Sequence, residues 1–251
     1  ELDLSSDFAS ARRWRDYGVI VNAAAYTAVD TAEGAGRADA WATNATAVAG
    51  LAAIAAANGI VLVHVSSDYV FDGTSDSAYT EEAALAPLGV YGQSKAAGDI
   101  AAQVAPCHYI VRTSWVIGDG RNFVSTMAAL AARGVDPSVV SDQRGRLTFA
   151  SDIADGIDHL LASGAPFGVY NLSSAGPVVS WAEVAQWVFE LTGHEPSRVT
   201  PVTTEEYYAT AAGPIAPRPA NSALDLTKIT DTGFAPVSAR TRLTEYLRAS
   251  V

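Results

Sequence analysis

Tyr91 and Lys95, in Val90-Tyr91-Gly92-Gln93-Ser94-Lys95, could together move a proton. Four residues apart on a helix, they face the same way, about one turn from each other. A free phenol titrates near pH ~10 and an ammonium near ~10.4, so neither exchanges protons readily at neutral pH. A cation held beside the phenol favours phenolate and lowers its pKa toward the range useful to a general acid or base. The spacing alone also fits an exposed helical face. Its meaning depends on the elements that would hold the pair.

Those elements alternate. Val19-Ile20-Val21 reads as a buried strand, and Arg37 to Asn58 as one Ala-rich helix closed by Gly59. Ile60 to Val65 is a second strand, rich in β-branched residues and ending in Ser66-Ser67-Asp68. After a loop to about Pro87 comes the helix of Tyr91 and Lys95, then a strand at Tyr109 to Arg112. Helices at Phe123 to Arg133 and Asp152 to Ala162 and a strand at Gly168 to Leu172 complete the series. This order predicts an α/β fold, a doubly wound parallel sheet covered on both faces. From about Ser174 the texture changes: a helix at Trp181 to Thr192, Pro-rich segments around Pro214 to Pro219, and a last helix at Ala239 to Ala249. The expected division is residues 1–173 for the dinucleotide-binding domain, with some substrate loops inserted, and 174–251 mainly for a smaller substrate lobe.

Of the 251 residues, 49% are hydrophobic and 17% charged, which argues for a packed globular chain. A net charge of −11 disfavours nucleic acid or an anionic membrane as partner. A small anion can still be held by a few local Arg residues. Cys107 is the sole cysteine, which excludes an internal disulfide, and reads as a buried filler. His64, His108, His159 and His194 are too scattered for a metal set, and Glu81-Glu82 and Glu205-Glu206 read as solvated helix starts. The sequence shows no signal peptide and no evident membrane-spanning run, so a cytoplasmic location is the default.

In open α/β sheets ligands bind at the carboxyl ends of the strands. Three clusters fall there: Asn22-Ala23-Ala24-Ala25-Tyr26-Thr27, Ser66-Ser67-Asp68-Tyr69-Val70-Phe71 and Arg112-Thr113-Ser114-Trp115. With Tyr91 and Lys95 in this order, the chain resembles the extended short-chain dehydrogenase/reductase superfamily. Within it the likeness is to the dTDP-4-dehydrorhamnose reductase family, over nearly the whole length. Asp142-Gln143-x-Gly145 and Arg218-Pro219-x-Asn221-Ser222 continue the likeness.

The resemblance implies a Rossmann-like fold and NADPH- or NADH-dependent reduction of a nucleotide-linked 4-ketosugar. It makes Ser67, Tyr91 and Lys95 the catalytic set. Tyr91 would donate the proton, Ser67 would hydrogen-bond the reacting oxygen, and Lys95 would grip the nicotinamide ribose and lower the Tyr91 pKa. It assigns Asp3, Leu4, Ala25, Tyr26, Thr27 and Val65 to the cofactor, and Ser67, Asp68, Trp115 and Arg218 to the substrate, with Arg218 on the diphosphate. It also implies Mg²⁺ supporting activity or a homodimer interface, with no ligands that the sequence can place. A strand, Gly-rich turn, helix and second strand, which the family pattern puts first, are not in the sequence. The chain is therefore expected to be an N-terminally incomplete piece of a longer polypeptide, inactive alone, with an upstream fused domain in some relatives. Leu147 stands where the family usually has Pro. Two other functions fit the motifs: a 4-ketoreductase of another nucleotide-linked deoxysugar, and a non-catalytic regulatory subunit of the same fold.

Overall fold

The computed structural model describes residues 3–4, 8–211 and 213–249. The elements that matter run in chain order. β1 is Val19–Asn22, followed by the short helices α1 (Val29–Ala32) and α2 (Arg37–Trp41). Next come α3 (Ala47–Asn58), β2 (Val61–Ser67), α4 (Val90–Ala102) and β3 (His108–Thr113). The short strand β4 (Val116–Ile117) and α5 (Phe123–Ala132) precede β5 (Ser138–Val140), β6 (Arg144–Gly145) and β7 (Thr148–Phe149). α6 (Ala150–Ser163), β8 (Gly168–Asn171), β9 (Val179–Ser180) and α7 (Trp181–Leu191) follow. The chain closes with β10 (Thr200–Val202), α8 (Thr204–Tyr208), α9 (Thr227–Asp231) and α10 (Ala239–Ala249).

β1, β2, β3 and β8 form one parallel sheet in that order. Side chains alternate across it, because successive residues of a strand point to opposite faces. Leu62 and Ile110 meet Leu51, Ala52 and Ala55 of α3, whereas Val63, Tyr109 and Val111 meet Ile153, Ile157 and Leu160 of α6. Each fully buried aliphatic side chain of this kind contributes about 1.5–3 kcal/mol. With helices on both faces, the α/β doubly wound reading holds. The register brings Asn22 beside His64 and Ser67 beside Thr113, so the three polar strand ends lie along one rim.

A second core lies outside the sheet. Ile117, Val124, Met127, Leu147 and Phe149 pack with Val184, Val188 and Phe189 of α7 and with Leu243 and Leu247 of α10. Leu147, where proline was the expected residue, is fully buried there. Thus residues 117–149 pack against the C-terminal lobe as well as following the sheet. Helices on this side start with capping boxes: Asn122 with Ser125, Ser180 with Glu183, and Thr203 with Glu206.

Four expectations need correction. The helix from Arg37 to Asn58 is not uniform, since residues Ala42–Thr46 open into a π turn before α3 ends at Gly59 in the left-handed conformation. By length and composition this Arg37–Asn58 stretch could also cross a membrane, which the sequence reading passed over. Here its inner side, with Val48, Leu51 and Ala52, is core. Glu81 starts no helix: it is buried and its carboxylate accepts from the Asn171 amide, satisfying a β8 donor. Cys107 is half-exposed rather than buried.

Candidate active site

α4 positions Tyr91 and Lys95 because two glycines let it approach its neighbours closely. A Cβ on Gly92 would sit 2.3 Å from the Tyr69 carbonyl oxygen, and one on Gly98 would sit 2.1 Å from the Asn44 carbonyl oxygen. Any side chain at either position would push the helix off the sheet's rim. Its N-terminus is fixed from outside, as the Val90 amide donates to the Glu33 carboxylate at 2.7 Å. That bond satisfies one of the donors a helix start leaves unpaired.

Asn44, in the π turn, links this helix to the β1 rim. Its side-chain oxygen accepts from the Tyr26 amide at 2.9 Å, and its Nδ2 donates to the Tyr26 carbonyl and to Ser94 Oγ. Ser94 in turn donates to the Tyr91 carbonyl at 2.8 Å. A π turn inside an α-helix commonly marks a site with a functional demand on the backbone. Here the turn carries the residue that fixes the loop after β1 to the Tyr91 helix. The sequence reading missed Asn44 and Glu33. The one available signal was Thr43-Asn44, poor helix formers inside an Ala-rich run.

One cavity of about 850 Å³ gathers Ala25, Thr27, Val65, Ser67, Asp68, Tyr91, Lys95 and Trp115. Lys95, 2% exposed, donates to the Val65 carbonyl at 2.7 Å. An ammonium has three N–H donors, so this bond leaves two to serve a ligand. The small side chains of Ala23 and Ala25 line the same space. Ser67 donates to Asp68 at 3.1 Å and accepts from the Tyr69 amide. Tyr69 stands edge-on to Tyr91, with ring centroids 5.3 Å apart.

The electrostatics differ from expectation. Burial pushes the Tyr91 phenol up to about 12; Asp68 and Asp99 add to the rise, and only the hydrogen bond with Ser67 opposes it. The depression expected from Lys95 is not present: burial dominates, and Lys95 does not count among the groups that shift the phenol. Lys95 is itself pushed down to about 8 by burial, against the pull of Asp99. Burial raises Asp68 to about 6, although Ser222 and Ser67 offer it hydrogen bonds.

A second cavity of about 530 Å³ adjoins the first at Tyr69, Trp115 and Val116. Arg218 lines it with Trp181, Phe123 and Tyr208. Trp115 has φ 48, in the left-handed region, and its ring stacks on Trp181 at 3.8 Å. Arg218 forks onto both oxygens of Asp30 at 2.8 and 2.9 Å and lies over the Tyr208 ring. Arg218 is thus in the second cavity and not beside Tyr91. Three cofactor expectations also fall outside the first cavity's lining. The Tyr26 ring packs with Ala32, Ala40 and Val90, Leu4 packs beside the α3 core, and Asp3 is exposed. Glu1 and Leu2, just before them, lie outside the described residues.

The family described as RmlD substrate binding domain matches residues 2–251. The chain belongs to that family. An RmlD-family relative from Burkholderia thailandensis, named dTDP-4-dehydrorhamnose reductase, is 43% identical over 244 residues, covering 89% of this chain and 79% of its own. One from Streptomyces antibioticus, named a probable dTDP-4,6-dihydroxy-2-methyloxan-3-one 4-ketoreductase, is 40% identical over 231 residues, covering 88% of this chain and 73% of its own. The crystal structure of dTDP-4-dehydrorhamnose reductase from Bacillus anthracis in complex with NADP superposes with a TM-score of 0.87 at 32% identity. That alignment covers 100% of this chain and 87% of the other.

Proposed function

We propose that the protein reduces the C4 ketone of dTDP-4-dehydro-L-rhamnose to the alcohol of dTDP-L-rhamnose, using NADPH or NADH. The observation that carries this is the 43% identity to a dTDP-4-dehydrorhamnose reductase over nearly the whole chain, with Ser67, Tyr91 and Lys95 gathered on one cavity. A reduced nicotinamide dinucleotide, when bound, supplies the hydride that adds to C4. Tyr91 gives its phenolic proton to the oxygen as the C=O π bond breaks, so a neutral alcohol leaves. A phenol raised to about 12 stays protonated at neutral pH, as a proton donor must. Ser67 hydrogen-bonds the reacting oxygen and Asp68 takes a sugar hydroxyl. Lys95 offers its remaining N–H groups to the ribose hydroxyls, with Ala25, Thr27 and Val65 as the wall behind. Tyr26 contributes backbone, while Asp3 and Leu4 keep a place only at the adenine end of this reading.

Trp115 and Trp181 would stack on the substrate. Arg218 would grip its diphosphate after leaving Asp30. In this division residues 1–173 hold the cofactor and 174–251, joined by 117–149, hold the nucleotide sugar. Among the described residues no group of three or more His, Cys, Asp or Glu could hold a metal ion, so no step is drawn through Mg²⁺. The reading carries a cytoplasmic location with it. A second reading, reduction of another dTDP-linked 4-ketosugar, is favoured by the Streptomyces antibioticus relative.

The test is NADPH oxidation by the purified full-length protein with dTDP-4-dehydro-L-rhamnose. Turnover is expected. Absence of turnover with this substrate, alongside turnover of another dTDP-4-ketosugar, would replace the first reading by the second.

A further inference from the structure

On the face of α4 that carries Tyr91 and Lys95, one turn further along, the helix buries a third ionisable side chain, Asp99. Asp99 is 0% exposed. Arg112 of β3, 3% exposed, donates from Nε to Asp99 at 2.9 Å. Its Nη1 donates to the Glu81 carbonyl at 3.0 Å, and its guanidinium lies 5.1 Å above the Phe71 ring. The guanidinium is therefore held from three sides and presents Asp99 in one place. The second Asp99 oxygen has no hydrogen-bond partner and faces His64 Nε2 at 3.9 Å. Asn22 Nδ2 lies 3.1 Å from His64 Nδ1. An amide nitrogen can only donate, so Nδ1 accepts and the ring proton sits on Nε2, toward Asp99.

The charges facing Lys95 can now be counted. From β2 comes His64, which burial and then Lys95 itself hold well below the usual histidine range, so it is neutral. From the end of β2 comes Asp68, from β3 Arg112, and from α4 itself Tyr91 and Asp99. Burial drives Lys95 down and Asp99 opposes the drive; burial likewise raises Asp99, and the charge and hydrogen bond of Arg112 oppose that rise. With Lys95 near the neutral range, small changes in that balance alter its charge.

We propose that Asp99, held ionised by Arg112, is a positioning residue of the reaction that keeps Lys95 protonated and aimed into the cavity. Asp99 touches neither substrate nor cofactor and acts through Lys95. The proposal rests on the role given to Lys95 above, but its central claim concerns a charge state that can be read without substrate.

The chain has two lysines, Lys95 and Lys228. Lysine labelled with ¹³C at Cε therefore gives two signals, and Lys228→Arg identifies them. In Asp99→Asn the Lys95 midpoint should fall by about one pH unit or more. The alkaline limb of kcat/KM for ketosugar reduction should move the same way, with about a tenfold loss at pH 8. Removing one partner of a buried pair destabilises strongly, whereas replacing both with apolar residues is often neutral. The double variant Asp99→Leu/Arg112→Met therefore serves if the single one does not fold, and it too should lower the Lys95 midpoint. Asp99→Glu should restore the midpoint and the limb. An unmoved Lys95 midpoint in either folded variant overturns the proposal and leaves the ion pair a purely structural one. That outcome is independent of whether the ketosugar reading stands.

Discussion

The two adjoining cavities are built by opposite means. Around Tyr91 and Lys95, buried polar groups in and behind the wall are each held by a neighbour: Lys95 on Val65, Asn44 on Tyr26, Asp99 on Arg112. Around Arg218 the walls are aromatic, half-buried and drawn from loops and short elements, with Trp115 held in an unfavourable backbone conformation by its stack on Trp181. The first arrangement keeps a few atoms in fixed positions, as proton and hydride transfer require. The second offers planar surfaces and the cations of Arg121 and Arg218, as suits binding a large anionic ligand by contact area and charge. On the proposed reading, chemistry falls to the sheet rim and affinity to the C-terminal lobe, and substitutions should separate them.

Tyr91→Phe should have the largest effect, lowering kcat about 10²–10⁴-fold with little change in KM. A loss within about threefold would remove Tyr91 from the acid role and with it the division. Asp68→Asn should come next, and it reads stability instead of rate. The folded-state pKa of Asp68 is raised, so between its unfolded value near ~3.9 and its folded value of about 6 the folded chain binds more protons than the unfolded one. Stability then falls as pH rises through that window, and the penalty, about 2–3 kcal/mol, is fully present above it. Urea unfolding from pH 4 to 7 should show Asp68→Asn with a flatter slope and higher stability at pH 7. An unchanged slope would mean that the carboxylate is not buried in solution.

On the other side of the division, Arg218→Met should raise KM for the nucleotide sugar about 10- to 100-fold, since a charge-assisted hydrogen bond is worth roughly 1.5–3 kcal/mol. Its kcat should stay within about threefold, and an equal loss in kcat would merge the two cavities functionally. The smallest effect belongs to Trp181→Ala. Losing one ring of the stack should raise KM about three- to tenfold and leave the pH profile of kcat untouched.

The strands and the Tyr91 helix were legible because buried β-branched runs and a Gly-closed helix are local patterns. Val61 to Val65 and His108 to Arg112 pack on both faces, so their composition declares them; β1, read as a buried strand, instead leaves Val19 and Val21 exposed at the sheet's edge. Ser67, Asp68, Tyr91 and Lys95 were legible because strand ends and helix spacing place them without knowledge of distant contacts. Asn44, Glu33 and Asp99 were not. Asn44 and Glu33 act on residues 18 and 57 positions away, and Asp99 depends on Arg112 of another element, so nothing local marks them. Glu81 was misplaced for the same reason, as its partner is the Asn171 amide 90 residues away.

By itself the sequence determined a parallel sheet with polar strand ends and a Tyr–Lys pair one turn apart on the helix beside them, since period and composition are properties of neighbouring residues. Only the tertiary structure decided the charge on that pair. Burial raises the phenol, lowers the ammonium and sets Asp99 with Arg112 beneath it, and the free energy of a charge depends on everything packed around it.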